Sequence, residues 1–285
     1  MKKNFLYLLV LVFACFLRGA NAQTYVASTP AHAIVRNFLQ ISPTDSIDFI
    51  RWNLEIGQGV FKLQCRYGLS QPSTPGFSNE KRVAFEGQLT KSGYYYNLQH
   101  RGRNISILEL NQNVLHFVDS DKGMLIGNGG YSYALNNDYP LESNSFNFRA
   151  ELTKTTGPLV FEGRTPCQEL SALLGLNKSD ACNKMKWYML FYTNQVTGRP
   201  SHFLMGGIGY KKETMSKGTW KIVTGQDGRI IYQLTSDNWS RPLNLLKADD
   251  NILFFLDGNV RMFTGNEDFS YTLNRREKEY PRSDR

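Results

Sequence analysis

The chain has 285 residues, 41% hydrophobic and 20% charged, with a formal net charge of +8. Its basic residues are scattered instead of gathered into a patch, so nucleic-acid binding is not expected. Tyr94-Tyr95-Tyr96 near Arg101 and Arg103 reads as an aromatic strand with a basic edge. No apolar run after the N-terminus is long enough to span a bilayer.

Residues 1–22 read as a signal peptide. Lys2 and Lys3 precede an apolar core from Phe5 to Leu17, and Ala20-Asn21-Ala22 places cleavage between Ala22 and Gln23. An uncleaved anchor is one alternative. Another is lipidation at Cys15, which follows the small Ala14 and would add peripheral membrane contact. Cleavage removes Lys2, Lys3 and Arg18, leaving a net charge of +5. The expected location is the periplasm, the outer-membrane surface or the exterior.

Residues 23–48 form a polar lead-in, with a helix expected over Pro30 to Phe38. A first β domain is expected over 49–137. Trp52-Asn53-Leu54-Glu55-Ile56 and Phe61 to Tyr67 alternate with the period of two that marks half-buried strands. Further strands are expected at Val83 to Leu89, Tyr94 to Leu98 and Ile105 to Leu110.

A linker is expected over 138–145 and a second β domain over 146–275, opening with the alternating Phe146 to Leu152. Between Cys167 and Cys182 lies a segment outside the obvious repeat. It contains the helical Glu169 to Leu174 and is ended by Gly175. A Cys167–Cys182 disulfide would tie it down in an oxidising compartment, and Cys65 is expected to be a buried free thiol. Strands follow from Trp187 onward, and 276–285 is a charged tail.

The clearest long-range signal is an internal repeat. Residues 113–136, NVLHFVDSDKGMLIGNGGYSYALN, align without a gap with 251–274, NILFFLDGNVRMFTGNEDFSYTLN, at an offset of 138. Eleven of the 24 positions are identical, where composition would give about one or two. Each copy reads as three strands in a meander. Asp119 and Asp257 stand at one turn, and Gly127-Asn128 and Gly265-Asn266 at the next. The chain is therefore expected to be all-β, an internal duplication of two antiparallel barrels in tandem with a short helical insert in the second.

Gly218-Thr219-Trp220, Leu253-x-x-Leu256-Asp257 and Phe269-Ser270-Tyr271-Thr272-Leu273 resemble the N-terminal domain of NlpE-type envelope lipoproteins. The resemblance covers roughly Trp52 to Asn136 and Phe161 to Arg275 separately. It implies lipocalin-like barrels and a role in copper resistance or in envelope-stress or adhesion sensing. The family's Pro-Cys-x-x-Cys pair is broken here: Pro166-Cys167 is present, but Leu170 stands at the second cysteine position. One thiolate is a poor site for soft copper.

No catalytic constellation is visible, and no cofactor is implied. His32, His100, His116 and His202 lack the i, i+4 spacing of a helical metal site. Met185, Met189, Met205, Met215 and Met262 are irregularly spaced. Asp119, Asp121, Asp249 and Asp250 stand at turns, where aspartate is common. The expectation is a non-enzymatic envelope protein binding an apolar small ligand or a protein partner. Metal handling and hydrolysis are the alternatives.

Overall fold

The computed structural model describes residues 22–72, 74, 76–143, 145–153, 158–176, 182–206, 215–225 and 227–276. The apolar segment read as a signal peptide, Cys15 and the tail from 277 onward lie outside them.

Two closed eight-stranded antiparallel barrels stand in tandem. The first comprises β1 (Gln23–Thr29), β2 (Phe49–Ile56), β3 (Val60–Gly68), β4 (Lys81–Ser92), β5 (Tyr95–His100), β6 (Arg103–Asn111), β7 (Val114–Val118) and β8 (Ala134–Asn137). Each strand pairs with the next, and β8 closes on β1 through Asn137 opposite Tyr25. The second repeats the scheme. Its strands are β9 (Leu159–Thr165), β10 (Met185–Thr193), β11 (Pro200–Gly206), β12 (Ser216–Thr224), β13 (Ile230–Thr235), β14 (Leu243–Lys247), β15 (Ile252–Leu256) and β16 (Thr272–Arg276). Among the described residues no helix is long and apolar enough to cross a membrane.

Residues 23–48 are part of the first barrel, not a lead-in. Tyr25 and Ala27 point into the core, and all seven residues of β1 are in register with β2. The helix, α1 (Ala33–Leu39), starts later than the sequence suggested. His32 caps it through Nδ1, and Gln40 ends it in the left-handed region at φ 59°. Phe38 enters the barrel end against Phe61 and Phe85.

The corresponding helix, α2 (Gln168–Leu174), follows β9 just as α1 follows β1. The segment after Cys167 is thus a shared element of the duplication, and only its disulfide is peculiar to one half. Thr29 Oγ1 accepts the indole N–H of Trp52 at 2.8 Å, and Thr165 Oγ1 accepts that of Trp187 at 2.8 Å. The Trp52 ring meets Phe117 at 4.8 Å and Trp187 meets Phe255 at 5.0 Å. Phe61 lies across the ladder from Gly87, and Phe203 from Gly218. An added Cβ would stand 2.6 Å from Phe61 Cε1 at Gly87 and 2.7 Å from Phe203 Cε1 at Gly218. Glycine is what lets each ring lie over the neighbouring strand.

Phe146 to Leu152 form no strand. The segment is a strap that touches the outer surfaces of both barrels. Asn147 N–H donates to Leu110 O at 2.8 Å, the Arg229 guanidinium covers the Phe146 ring at 4.0 Å, and Phe148 tilts against Phe254. Its alternation reflects contact on one side without a ladder partner. The second barrel accordingly begins at Leu159, and Arg276 belongs to its last strand and not to the tail.

Each repeated stretch contributes two strands, not three. The middle residues make only isolated bridges, Val118 to Met124 and Leu256 to Met262. The intervening Lys122 and Val260 both take positive φ, at 68° and 63°, a tight reversal that leaves too little extended backbone for a third ladder.

Candidate functional site

The turn residues of the repeat organise the connections. Asp119 Oδ1 accepts the N–H groups of Asp121 and Gly123, and Asp257 Oδ1 those of Asn259 and Arg261. Asn128 Oδ1 bonds the amides of Gly130 and Tyr131, and Asn266 Oδ1 those of Asp268 and Phe269. These short side chains satisfy backbone donors that have no ladder partner.

The two connections also meet each other. Gly127 N–H donates to Asn274 Oδ1 at 2.7 Å, and Gly265 N–H donates to Asn136 Oδ1 at 2.9 Å. Ser132 and Ser270 share an Oγ–Oγ hydrogen bond of 2.5 Å. His116 meets Phe254 edge-on, and the Tyr131 and Phe269 rings stack at 6.1 Å with an interplanar angle of 7°. The serine, His116–Phe254 and Tyr131–Phe269 contacts each join positions 138 residues apart, and the two glycine–asparagine bonds exchange with each other under the same offset. That is the signature of a two-fold, self-complementary interface, here formed within one chain. Around it Leu108, Leu110, Val114, Leu246, Ile252 and Phe254 form an apolar cluster shared by both barrels.

His116 is fully enclosed in this interface. Its Nδ1 lies 2.9 Å from Phe117 O, while Nε2 has no partner. Burial pushes its pKa down to about 4, against a smaller opposing effect of the Phe117 carbonyl. The ring is a neutral packing element, not a ligand. His32 caps α1, His100 stacks on Phe85 and His202 stacks on Tyr192. Among the described residues no three His, Cys, Asp or Glu side chains gather as metal ligands would. Met189 is core and Met262 belongs to the inter-barrel cluster.

Cys167 and Cys182 are joined in a disulfide with a Cα–Cα distance of 5.8 Å. Cys65 is a buried free thiol whose pKa burial pushes well up, so it is chemically quiet. Ala22 is exposed, immediately before β1 begins at Gln23.

The barrel interiors are filled. Trp52, Phe61, Phe117, Phe161, Phe191 and Phe203 are each less than 2% exposed. A cavity of about 310 Å³ remains at the mouth of the first barrel, where Gln23, Ile56, Gln58, Leu89, Lys91 and Tyr96 line it. This is the end away from α1. The Lys91 ammonium pairs with Glu109, donates to Tyr96 Oη at 3.0 Å and lies over the Tyr96 ring at 4.5 Å. Partial burial pulls its pKa down, but the Glu109 and Tyr96 bonds outweigh that and hold it above its ordinary value. Below them the Tyr25 hydroxyl donates to Gln112 O at 3.0 Å, and burial raises its pKa. The mouth is thus a shallow, half-apolar pocket with a fixed cation and no activated nucleophile.

Sequence reasoning missed both this mouth and the inter-barrel contact. A signal for the contact was present. Tyr133 and Leu135 point inward, so Ser132 and Asn136 must point outward, yet both are identical to Ser270 and Asn274. Identical polar residues on an outer face are unexpected where that face meets only water.

The architecture is that of a tandem pair of closed eight-stranded barrels docked by pseudo-two-fold symmetry. No family model, curated protein or solved structure matches the chain.

Proposed function

We propose that the protein is a non-enzymatic, exported binding protein of the cell envelope, engaging its target at the mouth of the first barrel. The observation that carries this reading is the contrast between interiors filled by buried aromatic rings and the cavity of about 310 Å³ at that mouth. A cavity of this size is at the small end for ligand sites. It suits the apolar tip of a small molecule, or one anchoring side chain of a protein partner, better than an enclosed lipid. Lys91, held charged by Glu109 and Tyr96, adds a fixed donor for orientation. The resemblance to envelope-stress lipoproteins agrees with a sensing role.

A photoreactive amino acid at Gln58 in the mature chain tests the reading in the envelope. A discrete adduct is expected from Gln58 and not from a probe at Val196, which is 94% exposed on a loop of the second barrel. Equal labelling from both sites would overturn it. Native mass spectrometry showing a stoichiometric lipid carried through purification would also overturn it.

A further inference from the structure

The pseudo-two-fold axis creates two related seams, and they differ in charge. In the first, Ser28 on β1 and Arg51 on β2 face each other across the ladder on the outside of the first barrel. The second barrel's turn lies over them. Arg51, 7% exposed, pairs with Asp268, lies 3.7 Å from Glu267 and reaches back to Ser28 Oγ. Arg66 lies 3.6 Å from the same Glu267. The cations of this seam are met by carboxylates from the opposing turn.

In the second seam the same ladder position holds Arg164 on β9 opposite Lys186 on β10. Like charges directly opposite on antiparallel strands repel. The turn that lies over them is the first barrel's, and at the positions of Glu267 and Asp268 it carries Gly129 and Gly130. The acids that would complete the seam are missing. Lys184 adds a further cation, with its ammonium 5.7 Å from the centre of the Phe269 ring, while the Arg164 guanidinium lies 5.9 Å from that of Tyr131. Burial, then Arg164 and Lys184, push the Lys186 pKa down, so both neighbouring cations repel the Lys186 ammonium.

Glu162 is the carboxylate at this seam, and it is bound to Arg276 at 3.1 Å. Among the described residues no carboxylate forms an ion pair with Arg164, Lys184 or Lys186. Arg164 and Lys186 are half-buried, so water screens them only in part.

We propose that this seam is an anion site for a phosphate group, which takes the place that Glu267 and Asp268 occupy in the symmetry-related seam. The two missing carboxylates correspond to a dianion. A guanidinium flanked by two ammonium groups suits phosphate oxygens, and the Tyr131–Phe269 stack walls the site with aromatic surface. This site does not depend on binding at the mouth of the first barrel. Free phosphate and the phosphate of an anionic lipid headgroup present the same chemistry.

The internal symmetry also supplies the test. Gly130 corresponds to Asp268 and has no positive φ, and a Cβ there would lie 3.4 Å from Arg164 Cζ. Gly130→Asp therefore installs the missing carboxylate in cis. The mature full-length chain is titrated with inorganic phosphate, followed by amide NMR at Gly129 and Gly130. It is also sedimented with vesicles of phosphatidylglycerol or of phosphatidylcholine. Saturable binding is expected, at least tenfold weaker in Gly130→Asp and in Arg164→Gln/Lys186→Gln, and unchanged in Lys221→Gln. Phosphate should raise the melting temperature of the wild-type chain but not of Gly130→Asp. Response to free phosphate assigns a soluble phosphate. Response to phosphatidylglycerol vesicles alone assigns a lipid headgroup. The proposal falls if neither probe binds saturably, or if Gly130→Asp binds as tightly as wild type. Should the double variant fail to fold, Gly130→Asp decides, since it restores only the acid that the other seam carries at this position.

Discussion

Ser132 and Ser270 lie 138 positions apart and share an Oγ–Oγ hydrogen bond of 2.5 Å between the barrels. Each is the other's counterpart in the duplication, so the bond is formed by one position meeting itself. Asn136 and Asn274 flank it, each accepting the N–H of the opposite copy's glycine. The repeat therefore encodes a docking surface as well as barrel strands.

Removing one of these acceptors should be costly. Asn274→Ala leaves the buried Gly127 N–H without a partner, and Asn136→Ala does the same to Gly265. Each is expected to lower stability by about 1–3 kcal/mol, the usual cost of an orphaned donor. Urea denaturation reads the loss. Midpoints within error of wild type for both variants would show that water reaches these amides.

The enclosed His116 makes stability depend on pH. Its folded pKa is lowered to about 4 from 6.5. Between those values the unfolded chain takes up a proton that the folded chain refuses. Stability from this group is intact above about pH 6.5 and is lost as pH falls toward 4, the loss reaching about 2 kcal/mol at pH 5. His116→Phe, which copies Phe254, should remove that part of the slope between pH 7 and 5 in urea titrations. An unchanged slope would place the proton uptake elsewhere.

Gly87 and Gly218 each lie under a phenylalanine from the adjacent strand. A Cβ at Gly218 would stand 2.1 Å from Thr235 O, and one at Gly87 2.4 Å from Gln99 O. Gly87→Ala and Gly218→Ala should each cost about 1–3 kcal/mol through overpacking. Gly57→Ala, whose nearest neighbour would be 3.6 Å away, should melt within a degree or two of wild type. Three equal melting curves would refute the packing argument.

The Cys167–Cys182 bridge closes a 15-residue separation after β9. Its loss in Cys167→Ser/Cys182→Ser should lower stability by about 3 kcal/mol, with reductant producing the same loss in the wild type only. A reductant effect on the double variant would point to some other thiol chemistry.

Much of the architecture was legible in the residues. Alternation marked the strands around Trp52 and Phe61, and the 138-residue offset marked the duplication. Both are local or one-dimensional patterns, and a period of two follows directly from the pleat. The order of chain entry into the barrel was less legible. Tyr25 and Ala27 alternate too, but β1 is short and polar at its edges, and only its pairing with β2 and β8 makes it a barrel strand. Phe146 to Leu152 alternate without any partner, so the same pattern there yields a strap. Alternation separates inside from outside, but it does not say whether the outside meets water or another barrel. That distinction was left to the tertiary structure. Docking turned Ser132, Asn136 and His116 into interface residues, and it set Arg164 and Lys186 opposite two glycines where the related seam has acids. The Ser132–Ser270, Asn136–Gly265 and His116–Phe254 contacts join positions more than a hundred residues apart, and the seam with Arg164 likewise exists only once both barrels have closed and met.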